Sequence, residues 1–288
     1  MSQWQEIFGY GFSQRALLAS ALIGFVNAYL GGYVVLKRSS LFAGGLTHTL
    51  FPGIALGALV AGLNPYSALF GAVFMALLAG LGATGIASVS RIDRDTALAI
   101  LYTAAFGAGL IVLEQIGTYV NIENYLFGNI LGIGNTDLWF VYVAGGLTMT
   151  LLLLLQRPLL LYVFSPDTAA SQGIPAHALG HGLAALLVVN MVISLQAVGA
   201  ILTLGLLIAP SAILYLFSNS VRSILWGAGA LGAGVSVLCV MFSIVTDMQT
   251  GPLIAGAFGV LFLLAFALSP VYGLAALFWK RFLMRGGA

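Results

Sequence analysis

The sequence predicts an all-α protein, a polytopic bundle of about eight or nine transmembrane helices. Three observations carry this. Of 288 residues, 61% are hydrophobic and only 6% charged, whereas a soluble domain carries about 25% charged residues. So few polar side chains cannot clothe a chain of this length in water. The apolar residues also fall in stretches near the roughly 20 residues a helix needs to cross a hydrocarbon core of about 30 Å. Finally, the ten Lys and Arg collect in alternate connections, as positive residues kept on the cytoplasmic side do.

The first stretch spans 14–36. The residues before it, "MSQWQEIFGYGFSQRALL", lack the positive n-region and small-residue cleavage site of a secretory signal, so it is read as a retained helix. Lys37 and Arg38 follow it. The second stretch, 41–62, ends in "LNPY" without a positive charge. The third, 66–89, is followed by Arg91 and Arg94. The fourth, 96–114, leads into "EQIGTYVNIENYLFGNILGIGNTD", again without Lys or Arg. After the fifth, 137–155, comes Arg157. The sixth and seventh, 176–196 and 198–217, are parted only by "QAVG". Arg222 opens the eighth, 222–245, and "TDMQTGP" separates it from the ninth, 253–279, which has a potential break at Ser269-Pro270. Lys280, Arg281 and Arg285 close the chain. Nine of the ten positive charges thus lie on one side, Arg15 being the exception. This places the N-terminus outside and the C-terminus in the cytoplasm. An arrangement of eight spans, with the first stretch tilted or re-entrant, stays open. With no long charged linker, low-complexity tract or visible repeat, 1–288 reads as one domain. Its 37 glycines suit close helix contacts in lipid.

Several function classes are excluded or weakened. A net charge of +2 gives no basis for binding nucleic acid. The single cysteine, Cys239, allows no disulfide framework and no Cys-rich metal site; it reads as a small buried hydrophobe. The chain has no GxSxG, no HExxH and no GxxxxGK[ST], so it carries no catalytic cluster and cannot cradle ATP phosphates by itself. The eight acidic residues fall in connections or at helix ends, whereas ion-coupled carriers keep carboxylates within the membrane. A self-sufficient carrier or channel is therefore the weaker alternative.

The polar residues placed inside spans are Asn27, Thr47, His48, Asn190, Ser194, Thr203 and Ser211. His48 stands out in "SLFAGGLTHTLFPGIALGALVAG", four residues before Pro52, which is followed by Gly53. At 1.5 Å rise per residue it lies within about 6 Å of the span's centre. Pro52 removes the donor that would bond the His48 carbonyl, so a helix break is expected there beside an imidazole able to bind a first-row metal. A path residue and a packed histidine bonded to a neighbouring helix are both open readings. His177 and His181, at i and i+4, share a helix face at the entrance of the sixth span. Two imidazoles without a carboxylate or thiolate do not make a metal site, and interfacial anchoring is the expected role. In "RPLLLYVFSPDTAASQGIPAHALG", "SPD" supplies an N-cap with proline at the first helical position and "GIP" ends the helix. A short helix of small residues is what docking into a partner's groove would use.

Taken in order, these segments resemble the zinc/manganese/iron permease family of ATP-binding-cassette importers over most of the chain. "VVLKRSSLFAGGLTHTLFPGIALGALVAG" is similar to the family's S-L-x-G-D-A-x-S-H-x-x-L-P-G-I-A. "RIDRDTALAILYTAAFGAGLIVL", "YLFGNILGI", "SPDTAASQGIP", "VGAILTLGLLIAPSA" and "SIVTDMQTGPLIA" resemble later family segments in the same order. The resemblance implies a membrane-spanning permease subunit in a bacterial inner membrane, with no cofactor of its own and no ATP hydrolysis. It implies a homodimer bound to two ATPase subunits and fed by an extracytoplasmic metal-binding protein, with zinc, manganese or iron as cargo. It further implies alternating access, with His48 as the metal residue, Thr47 and Pro52 along the path, and Asp167, Ala170 and Gly173 in the ATPase-coupling helix. One departure is notable: the family aspartate is Gly44 here, and its serine is Thr47. That leaves three possibilities: an oxygen ligand from elsewhere, His48 pairs across a dimer, or a cargo that is a neutral metal chelate or not a metal.

Overall fold

The structure, a computed structural model, describes residues 9–62, 64–116 and 128–269. Among these residues eleven α-helices follow one another, without a strand. They are α1 (Gly11–Leu36), α2 (Ser40–Ala61), α3 (Pro65–Val89), α4 (Arg94–Ile116), α5 (Asn135–Leu154), α6 (Gln156–Phe164), α7 (Pro166–Ser171), α8 (Ala176–Val198), α9 (Ala200–Phe217), α10 (Val221–Thr246) and α11 (Thr250–Leu268). Eight are long and apolar enough to cross a membrane, and α9 is a shorter apolar helix. With α9 counted, each of the nine predicted stretches has its helix. α6 and α7, of 9 and 6 residues, are too short to cross. The predicted extension of the last span to 279, and the positive charges beyond it, lie outside the described residues.

The reversals are built locally. At "LNPY" the Asn64 side chain accepts from the Ser67 backbone N–H at 2.8 Å, the Ser67 hydroxyl accepts from the Asn64 N–H at 3.3 Å, and Pro65 occupies the first helical turn. This capping box satisfies helix-end donors that lipid-facing surroundings could not. The "QAVG" junction is tighter: only Gly199 separates α8 from α9, with φ +85°, a conformation that favours glycine. Gly128, at φ +70° in "GNILGI", lies against the same junction, where a Cβ on it would stand 2.7 Å from the Val198 Cα. The "SIVTDMQTGPLIA" segment closes the α10–α11 turn. Ser243 donates to the Met248 carbonyl at 2.6 Å and meets the Thr250 hydroxyl at 2.7 Å, with Asp247 in the left-handed region.

α1 is the hub, 72% buried over its most apolar stretch, against 17% for α4. Its first half joins α5, α9, α10 and α11 in one core around Ile23, Leu202, Val240 and Phe258. Its second half joins α2, α3, α4, α6 and α8 in another around Tyr33, Leu46, Leu98 and Leu187. Small residues let these backbones meet, which in lipid substitutes for the missing hydrophobic drive. A Cβ on Gly24 of α1 would stand 2.6 Å from the Gly232 carbonyl oxygen of α10.

The expected break at Pro52-Gly53 is absent: α2 runs unbroken through Pro52. Proline removes one hydrogen bond of the ladder, and the neighbours hold the helix on both sides of that gap. α4 presents Gly109 to the proline, where a Cβ would stand 2.6 Å from the Pro52 Cα. Gly53 serves close approach to α3, its Cβ position being 2.6 Å from the Ala72 Cα, and not a bend.

Charge divides the bundle's ends. Lys37, Arg94, α6 and the start of α8 meet at one end through Lys37–Tyr162, Arg94–Phe42 and Tyr162–Gly180 contacts. Arg15, the predicted exception, is at the other end. Its Nε donates to the Ile133 carbonyl at 3.2 Å and its guanidinium to Asn135 Oδ1 at 3.3 Å, tying α1 to the start of α5.

Candidate functional site

The seven polar residues placed in spans divide cleanly. Asn27 donates to Ser194 Oγ at 2.7 Å, Asn190 to Thr148 Oγ1 at 2.6 Å, and Ser211 to the Ala28 carbonyl at 2.7 Å. Thr203 and Thr47 donate back to the carbonyls of Gly199 and Gly44 at 2.7 and 2.6 Å. All six are buried. His48 alone is exposed, about 4 Å from the mid-length of α2 by helical rise. An ionisable ring at that depth on an exposed face is costly in lipid, which makes His48 the candidate among the seven.

α4 runs parallel to α2 and builds the rest of that face. The pairs climb in step: Arg94 over Phe42, Leu98 on Gly45, Tyr102 by His48, Phe106 by Phe51, and Gly109 on Pro52. The His48 and Tyr102 ring centroids are 5.3 Å apart, tilted by 33°. Gly44 is half-buried one turn before His48, where a Cβ would make ordinary contact with Leu204 Cδ2 at 3.6 Å. Thr47 and Pro52 do not join His48 at the surface: both are buried, Thr47 bonded into its own helix and Pro52 covered by Gly109. Among the described residues no three of His, Cys, Asp and Glu gather closely enough to hold a metal ion.

At the basic end, Asp167, Ala170 and Gly173 all line a cleft of about 730 Å³. The helix carrying them starts as expected, with Pro166 at the first position, but Ser165 meets the Thr168 hydroxyl at 2.6 Å instead of capping a backbone N–H. Gly173, at φ +76°, ends the segment. His177, His181, Arg94 and Tyr162 line it as well. His181 Nδ1 lies 2.7 Å from the His177 carbonyl oxygen, so the histidine pair is set by its own helix. Lys37 Nζ bonds the Tyr162 hydroxyl and sits 3.8 Å over that ring. Burial, with the Arg94 guanidinium adding repulsion, pulls the Lys37 ammonium down to about 8.

Arg94 is marked in the sequence only as a positive charge after the third span, and nothing there singles out Tyr102 or Tyr162. Tyr102 joins His48 only through the parallel register of α2 and α4. Tyr162 fits because Gly180 has no side chain, a Cβ there standing 3.0 Å from Tyr162 Cζ.

Among the described residues, eight helices long and apolar enough to cross a membrane and a ninth, shorter apolar helix define a multi-pass membrane protein. The chain belongs to the ABC 3 transport family, whose profile matches residues 9–269. It is 31% identical over 278 residues to the manganese transport system membrane protein MntC of Halalkalibacterium halodurans, covering 96% of this chain and 94% of that one. It is 34% identical over 278 residues to the chelated iron transport system membrane protein YfeC of Yersinia pestis, covering 96% and 93%. Among solved structures it is similar to a chain of PsaBC from Streptococcus pneumoniae in complex with Fab. There the TM-score is 0.82 and the identity 29%, over 93% of this chain and 95% of that one.

Proposed function

We propose that the chain forms the membrane path of an ATP-driven importer of a divalent first-row metal ion, working as a homodimer in which the α2–α4 faces oppose each other. The carrying observation is that, of the seven polar residues placed in spans from the sequence, His48 alone is exposed while the other six are buried and bonded. Imidazole binds manganese, iron and zinc, and the relatives' names point to manganese and iron. With glycine at 44, one chain offers a single strong ligand, so two copies of His48, with the Tyr102 phenols beside them, complete the coordination across the dimer axis. The basic end faces the cytoplasm by the distribution of Lys and Arg. There Asp167, Ala170 and Gly173 couple to two ATPase subunits, whose closure drives alternating access, while a metal-binding protein delivers cargo on the opposite face. Thr47 shapes the path through the α2 backbone, and Pro52 by leaving the His48 carbonyl free of its helical bond.

Uptake of labelled manganese, ferrous iron and zinc by cells expressing the whole complex tests this. His48→Ala at matched abundance is expected to lower uptake of one metal at least tenfold. Undiminished uptake of every transported metal would return His48 to a packing role.

A further inference from the structure

The cleft at the basic end contains a group that passage along α2 and α4 does not use. Arg94 lines it with the guanidinium 3.5 Å over the Phe42 ring, and its Nε is buried with no hydrogen-bond partner among the described residues. Lys37 sets a second cation nearby, held on Tyr162, and His177 and His181 also line the cleft. Tyr162 and then Asp95 act on the guanidinium electrostatically, yet neither takes that N–H. A buried charged donor left unpaired is costly, and the neighbouring ammonium adds to the cost. The complement of a guanidinium is a carboxylate, whose two oxygens accept from its planar fork. The walls say from where it comes. They are helix ends and the α7 segment, with Ala170, Ile174 and Pro175 giving apolar surface beside the cation. A short side chain reaching in from the cytoplasmic side meets both the apolar wall and the charge.

We infer that this cleft receives an aspartate or glutamate side chain of the ATPase subunit, seated against α7 with its carboxylate on Arg94. The inference rests on the reading of α7 as the ATPase-docking segment, and it adds the chemistry of the docked group. Charge pairing at this point makes Arg94 an anchor of the complex. Phe42, over which it stacks, is in the same helix as His48, so the anchor bears on the path helix directly.

The assembled complex of permease and ATPase subunit tests it by zero-length carbodiimide coupling, which joins an amine only to a carboxylate in contact with it. Arg94→Lys keeps the cation and introduces the reactive amine. The expected product is an amide from position 94 to an Asp or Glu of the ATPase subunit, located by mass spectrometry and missing from Arg94→Gln. In parallel, Ala170→Cys with a short thiol-reactive cross-linker reads whether α7 touches the ATPase at all. A link from 170 without one from 94 overturns the carboxylate inference and leaves the docking reading standing, the outcome an anionic lipid headgroup in the cleft would give. Links from neither position overturn both. As a second measurement, Arg94→Glu is expected to weaken ATPase association about thirtyfold, as loss of a desolvated charge pair does, and Arg94→Lys far less. Equal, undiminished association of both variants would overturn the inference.

Discussion

Restoring a carboxylate at position 44 probes the path most directly. Gly44→Asp fits sterically, because a Cβ there meets Leu204 Cδ2 at an ordinary 3.6 Å. The new carboxylate stands one turn from His48 on the same face, with about 6 Å between Cβ atoms. A divalent cation held by the imidazole would then feel an anion at roughly that range, a gross attraction of about 5 kcal/mol at an effective dielectric near 20. Stripping water from the carboxylate in a half-buried site offsets much of it, leaving about 1–3 kcal/mol, or roughly ten- to a hundredfold in affinity. Equilibrium binding of manganese to the purified complex, at fixed salt, reads this. His48→Ala in the same background is expected to remove the gain, since the two groups act on one ion. Unchanged affinity in a folded, equally abundant Gly44→Asp protein would refute the placing of residue 44 on the cargo's route. So would a gain that survives loss of His48.

Two further outcomes follow from packing and charge. Gly109→Val drives a side chain into Pro52, whose Cα stands 2.6 Å from the new Cβ position; overpacking of this kind costs about 1–3 kcal/mol and should lower the thermal midpoint in detergent, whereas Gly107→Val, with nothing within 4 Å, should not. Lys37 has its ammonium pulled from 10.5 to about 8 by burial and by Arg94. The unfolded chain keeps that proton up to about pH 10.5, and the folded one gives it up above about 8. The folded state therefore carries the full penalty below about pH 8, and stability climbs from there toward pH 10.5. The shift would be worth about 3 kcal/mol undiminished, and solvent screening at this half-buried site reduces it to about 1–2. Thermal midpoints between pH 7 and 10 should rise, and Lys37→Met should flatten the slope and be the more stable at pH 7.

Hydropathy along the chain determined the order and approximate extent of the apolar helices, because lipid demands about 20 apolar residues per span, and it left their number at eight or nine; eight are long enough to cross and α9 is shorter. The short α7 and the single-glycine α8–α9 junction were likewise legible, since proline, glycine and capping residues act on the backbone within a few positions. Pro52 was legible as a lost donor. Whether the helix bends at it depended on α4 bringing Gly109 to the same spot, which no local pattern records. His48 was legible as a polar residue at mid-depth, together with six others. Tertiary packing turned those six inward onto partners such as Ser194, Thr148 and the Ala28 carbonyl and left His48 outside, beside a tyrosine 54 residues further on. Sequence periodicity was nearly silent about this, since helices apolar on every side carry little record of which face a neighbour will cover. Which face meets protein is settled by where small residues let backbones touch, and that is a property of pairs of helices rather than of any one of them.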